Sequence, residues 1–182
     1  MAFLKYFWLG LCTLALTGCA TSIQSSATRD ALDPAAKWVL LPITNNTDTP
    51  QAGLSAEAML EHQLRWRGIL SLQHYPATLS RDSLFEPTER KVTAEAQQWA
   101  RDQGARFALL GSVQEWRYKV GIDGEPAVGM ALKVLDLSNG QVVWSASGAK
   151  SGWSREALSA VAQSVVTDML NAMPLMASTP AK

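Results

Sequence analysis

The sequence predicts a mixed α/β domain with the element order β-α-β-α-β-β-β-α, a mixed sheet covered by helices in a three-layer arrangement. Three observations carry this. In the first half, short apolar runs stopped by Pro or Gly alternate with segments of helical spacing, and such short links favour parallel strands. In the second half, strand-like segments are separated only by turns built on Asp123-Gly124 and Asn139-Gly140, dipeptides that force antiparallel pairing. A last segment of helical spacing closes the chain ahead of Pro174.

Taken in order, Lys37-Trp38-Val39-Leu40-Leu41-Pro42-Ile43 reads as a buried strand, because a short continuous apolar run has no face left for water. Asn45 to Pro50 is a loop by turn chemistry. Leu54 to Arg67 is a helix: Ala58, Met59, Leu60 and Leu64 supply apolar positions, Glu61 and Arg65 stand at i,i+4, and Gly68 ends it. Ile69 to Tyr75 alternates as a second strand up to Pro76. Ala77 to Arg90 carries a weaker signal, with one helical turn around Ser83. Thr93 to Gln103, with Ala96, Trp99 and Ala100, is a second helix closed by Gly104. Phe107 to Val120 is a long strand whose even positions end aromatic, at Trp116 and Tyr118. The turn at 121–126 leads into a strand from Ala127 to Leu137, and Gln141 to Gly148 is the last strand. Ser154 stands where an N-cap would start a final helix, Arg155 to Ala172.

Ahead of this domain stands a leader. Lys5 supplies a positive start, Phe7 to Leu16 is an uncharged apolar stretch, and small residues follow. That is a secretory signal, too short to span a bilayer. Its end, Leu16-Thr17-Gly18-Cys19, resembles the lipobox of bacterial lipoproteins. The resemblance implies cleavage before Cys19 and acylation of that residue, and Ala20 in place of Asp favours the outer membrane. The expected organisation is a signal peptide over 1–18, an acylated cysteine and flexible tether over 19–36, one domain over 37–174, and a disordered tail over 175–182.

Lys and Arg number 16, as do Asp and Glu, and only Lys5 leaves with the signal. So balanced a chain has no basic footprint for nucleic acid. Cys12 and Cys19 are the two cysteines; one leaves and the other is acylated, so neither a disulfide nor a thiol nucleophile remains. His62 and His74 are the two histidines, and neither has a second ligand at helical spacing. Nucleophile elbow, Walker loop and dinucleotide motifs are absent. Asp123 and Glu125 share one turn, unlike the separated carboxylates of a glycosidase cleft. The reading is a protein without enzymatic activity, metal or cofactor.

Two features ask for more than core packing. Gly121-Ile122-Asp123-Gly124-Glu125 is an acidic hairpin tip, which is either a solvated turn or a charged surface. Ala149 to Arg155 sets Trp153 among small residues with Lys150 and Arg155 on either side. There Trp153 is either a hydrophobic staple onto Leu158 across the Ser154 cap, or an interfacial anchor whose flanking cations meet lipid phosphates.

The run Glu115-Trp116-Arg117-Tyr118-Lys119-Val120-Gly121-Ile122-Asp123-Gly124-Glu125-Pro126-Ala127-Val128 is similar to a distinctive segment of the PelC family, outer-membrane lipoproteins of Pel exopolysaccharide secretion systems. Val143 to Gly148 and Ser151 to Glu156 resemble the segment that follows it, and the Trp-x-Leu-Leu-Pro strand at 38–42 fits as well. The resemblance implies a fold like the amino-terminal domain of TolB and a homo-oligomeric ring, a dodecamer in that family, on the periplasmic face of the outer membrane. It implies that Asp123 lines an electronegative face that guides the cationic Pel polysaccharide toward its export barrel, PelB, and that Trp153 enters the bilayer. Glu125 joins Asp123 by adjacency. The competing reading is a lipoprotein of TolB-like fold that activates a cell-envelope synthase through protein contact, which requires a monomer on a long tether.

Overall fold

A computed structural model describes residues 21–28, 30–76, 89–121 and 124–177. Its elements are β1 (Thr21–Ala27), β2 (Trp38–Asn45), α1 (Ala52–Trp66), β3 (Leu72–His74), α2 (Glu89–Asp102), β4 (Phe107–Tyr118), β5 (Pro126–Asp136), β6 (Gln141–Ser151) and α3 (Leu158–Asn171). The six strands form one sheet in the order β1-β6-β5-β4-β2-β3. β2 runs parallel to β3 and β4, whereas β4, β5, β6 and β1 pair antiparallel. The mixed α/β class and the parallel-then-antiparallel logic are as the sequence predicts.

β2 explains its own apolar run. Trp38, Leu40 and Ile43 face one core, Val39 and Leu41 the other, so neither pleat face can be polar. α1 and α3 cover the first face. Ala56, Leu60 and Leu64 of α1 point inward at i,i+4 spacing, as do Val161, Val165 and Met169 of α3, while Ala58 is exposed. α2 covers part of the second face with Ala96 and Ala100, beside Tyr75 and Trp99 in an edge-on ring contact at 5.3 Å. The rest of that face is lined by small polar residues, among them Ser26, Ser112, Ser145 and Ser147. α1 ends at Gly68, whose φ of +89° suits a residue without Cβ, and Ile69 donates back to the Leu64 carbonyl.

Several expectations are corrected. Residues 21–27 are not a flexible tether: they form β1, in register with β6 from Thr21↔Lys150 to Ala27↔Trp144. Their weak signal has a physical cause, since an edge strand with both faces near water needs few apolar residues, and here only Ile23 is half-buried. Described residues further along the supposed tether are also held. Leu32 is buried and donates to the Pro174 carbonyl, and Met176 donates to Leu32. That exchange orders the start of the supposed tail as well; residues 178–182 lie outside the described residues. The strand expected over 69–75 is confined to Leu72–His74, because Ile69 is taken up by the end of α1. The helical turn expected around Ser83 lies outside the described residues.

The last helix is corrected too. It begins at Leu158 with Ala157 at its N-cap, three residues later than Ser154 would place it, because Arg155 adopts a φ of +70° that no right-handed helix accommodates.

Candidate functional site

The strand register brings the segments singled out by sequence to one end of the sheet. Thr21 pairs with Lys150, Lys150 with Val128, and Val128 with Trp116, which draws one line across four strands. Beyond that line lie Tyr118 at the end of β4, Lys119 and Glu125 of the hairpin neck, and Trp153 after the end of β6, while Thr21, on the line, begins β1.

The hairpin is built from its neck. Tyr118 opposes Pro126, a residue tolerated at a strand's first position because its missing N–H breaks no interior ladder. Lys119 N–H donates to the Glu125 carbonyl at 2.7 Å, and Gly124 supplies the turn with a φ of +51°. The Lys119 ammonium donates to Ser151 Oγ at 2.6 Å and stands 4.0 Å from the Glu125 carboxylate. Glu125 therefore shares its charge with a cation that sequence reasoning passed over; only the hairpin pairing reveals it. Asp123 and Ile122 lie outside the described residues, between the described Gly121 and Gly124.

Trp153 sits on a braced loop. Gly152 N–H donates to the Pro126 carbonyl at 2.8 Å. The Glu156 carboxylate accepts the Trp153 N–H at 3.0 Å, and Glu156 N–H returns to the Trp153 carbonyl at 3.0 Å. The α3 N-terminus, lacking its own cap, takes one from β4: Tyr118 Oη accepts the Leu158 N–H at 3.1 Å and donates to the Glu156 carbonyl at 3.3 Å. With Leu158 the first helical residue, the capping geometry for a staple from Trp153 is absent. Trp153 is 63% exposed, and Tyr118 and Val120 of the neighbouring hairpin are half and fully exposed.

The two cations that flank Trp153 in sequence part company in space. Lys150 reaches α3, donating to Ser164 Oγ at 2.8 Å, whereas Arg155 is exposed.

A second cluster lies at the β3 edge. Glu57 is buried, its Oε1 accepting the Ile43 N–H at 2.8 Å and its Oε2 meeting His74 Nε2 at 2.9 Å. There it satisfies the backbone where Pro42 shifts the β2 register. The hydrogen bond to Glu57, aided by the charges of Glu57 and Glu61, raises the His74 pKa against the opposing effect of its own burial. At the opposite end of the sheet Asp136 is buried, which pushes its carboxyl up, but hydrogen bonds from Arg106 and Ser138 outweigh this and hold it below the usual range. Both clusters serve the fold. Among the described residues no group of three His, Cys, Asp or Glu side chains stands together to hold a metal.

Neither a protein-family model nor a curated protein sequence matches the chain. Solved structures do. The PelC dodecamer from Paraburkholderia phytofirmans is 39% identical, with a TM-score of 0.72, over 86% of this chain and 99% of that one. A single-substitution variant of that protein superposes with a TM-score of 0.73 over the same shares. Lipoprotein GNA1162 from Neisseria meningitidis, 18% identical over 75% of this chain and 96% of its own, shares the fold with a TM-score of 0.53. Identity at that level over nearly the whole of the solved PelC chain, strands and helices included, means that the protein belongs to the PelC family.

Proposed function

We propose that this protein is a non-catalytic lipoprotein of a Pel-type exopolysaccharide system. It is anchored through Cys19 on the periplasmic face of the outer membrane and assembles with copies of itself into a ring. The ring guides a cationic polysaccharide toward an outer-membrane export barrel of the PelB kind. The observation that carries this reading is the whole-length kinship with a protein that crystallises as a dodecamer. Repetition changes what the hairpin can do: one acidic turn is a surface detail, whereas a ring of them focuses a field that attracts polycations. Asp123, with Glu125 beside it, supplies the acid; Trp153 and Arg155 belong to the membrane side of the same reading, whereas Lys150, expected there by sequence, is turned to Ser164 of α3.

The competing regulator needs a long leash. β1 weighs against it, because only Ala20 separates Cys19 from the first paired residue.

A deletion strain tests the proposal. Wild-type protein is expected to restore secretion of the cationic polymer and to run as a large homo-oligomer in mild detergent. Cys19→Ser is expected to lose labelled palmitate, leave the outer-membrane fraction and fail to restore secretion. A monomeric wild-type protein, or full secretion without the chain, overturns the reading.

A further inference from the structure

We infer, on the self-assembly proposed above, that the outward face of α1 docks on the uncovered face of the sheet in the next copy of this chain. Each copy then offers two different surfaces, and the contact runs head to tail.

The outward face of α1 is unlike that of the other helices. A helix lying on a core ordinarily turns charged and polar residues to water, and α2 and α3 do so. Glu95, Gln98 and Arg101 are exposed on α2, and Ser159, Gln163 and Asn171 on α3. α1 instead exposes Leu54, Ala58, His62 and Trp66, a single stripe at i,i+4 spacing, with Leu54 54% and Trp66 75% exposed. Its three charged residues are all engaged at β3. Glu57 meets His74 Nε2 at 2.9 Å, Glu61 stands 3.7 Å from His74 Nδ1, and Arg65 donates to the Leu72 carbonyl at 3.1 Å. α1 therefore has no charge of its own along the stripe.

The opposite side of the sheet offers a counterpart. α2 packs there on β2. Beside it Ser112, Ala131 and Ser147 stand in one row across β4, β5 and β6, and Lys133, Ser145 and Ser26 in the next row. These residues line one recess, and all are exposed or half-exposed. Apart from Lys133 they are Ser and Ala, too short to hold a facing helix away from the strands. Long side chains such as Leu54 and Trp66 find room above such a floor, and a helix laid on a sheet is an ordinary pair of layers.

A second copy is the occupant because stripe and recess lie on opposite sides of one sheet. A copy stacked in the same orientation sets its recess against the stripe of the first, while its own stripe stays open for the next copy. A contact between two different patches of identical subunits is heterologous, the kind that builds closed rings. The PelC protein that matches this chain at 39% identity is a dodecamer. A contact of α1 with α1 would instead be isologous and stop at a dimer.

The test uses the full-length acylated protein in mild detergent, sized by light scattering. Trp66→Glu puts a charge on the stripe, and Ser147→Arg puts a long cation in the recess. Both positions are on the surface, so each variant is expected to keep the wild-type circular dichroism spectrum. Each alone is expected to need about tenfold more protein to assemble, the weakening that loss of an interface anchor brings. Ala58→Glu, on the same stripe, is expected to behave as Trp66→Glu does, whereas Trp66→Phe assembles like the wild type. Mixing then separates the two faces. The intact stripe of the Ser147→Arg chain fits the intact recess of the Trp66→Glu chain, so equal amounts are expected to give one-to-one dimers and nothing larger. A mixture of folded chains that stays monomeric, or either charged variant assembling alone like the wild type, overturns the pairing of these two faces. A monomeric wild-type protein would instead defeat the self-assembly reading itself, so the failures are distinguishable.

Discussion

Gly152 and Trp153 show how neighbouring residues divide a task. Gly152 is buried, and a Cβ there would stand 2.5 Å from both Glu156 Oε2 and Val161 Cγ2 and 2.9 Å from Pro126 Cγ. Gly152→Ala must therefore push apart the α3 start and the β5 start, and overpacking of this kind costs about 1–3 kcal/mol. A lower midpoint in urea checks it; an unchanged midpoint would mean that the loop gives way freely. Trp153, with its indole mostly in solvent, contributes little to the fold, so Trp153→Ala is expected to shift stability by less than about 0.5 kcal/mol while weakening liposome binding of the unacylated domain. A large stability loss with unchanged binding would reverse that assignment. Sequence reading found Trp153 by its setting of small residues and cations, but misplaced the start of the helix after it. The cap comes from Tyr118 on β4, some forty positions away, and nothing local to Ser154 announces that.

Elements were legible in proportion to how much apolar surface each buries. β2 was readable because both of its faces are covered, and the hairpins because Asp-Gly and Asn-Gly name their turns. β1 was not, since its seven residues offer the core only Ile23 and an edge strand is held mainly by its ladder. The contact between α1 and β3 carries a pH-dependent term that follows from its geometry. His74 has a raised pKa through its hydrogen bond to Glu57, with Glu57 and Glu61 adding charge, while Arg65 draws on Glu61 at 2.9 Å. A histidine whose folded pKa lies above its unfolded value of about 6.5 stabilises the fold fully below that value. The contribution fades as pH rises through the folded pKa. Urea midpoints measured between pH 6 and 8.5 are expected to fall with rising pH in the wild type and to flatten in His74→Gln. A slope that survives the substitution would place the titrating group elsewhere. The imidazole is partly solvated, so the effect is modest.

At the scale of the whole molecule, the proposed guiding role depends on charge multiplied by repetition, and that makes a prediction separable from any single contact. From Lys119 to Glu125 the hairpin carries one Lys, one Asp and one Glu, a net of one negative charge per copy. Since Lys119 stands 4.0 Å from Glu125, Asp123 sets the sign. Asp123→Lys inverts the hairpin, and in a ring every copy inverts together, turning an attracting rim into a repelling one. Polymer secretion is expected to fall several-fold while oligomer size and melting temperature hold, because the sequence sets Asp123 in an Asp-Gly turn, where a polar substitution contributes little to stability. Asp123→Asn, which only neutralises, is expected to lose less. The decisive variant adds Lys119→Glu to Asp123→Lys. It restores one net negative charge per hairpin but leaves a cation at position 123. If the summed field guides the polymer, secretion recovers; if a particular contact at Asp123 does, the double variant stays as defective as the single. Secretion at wild-type level from Asp123→Lys alone would remove the electrostatic account and leave the hairpin as a solvated turn.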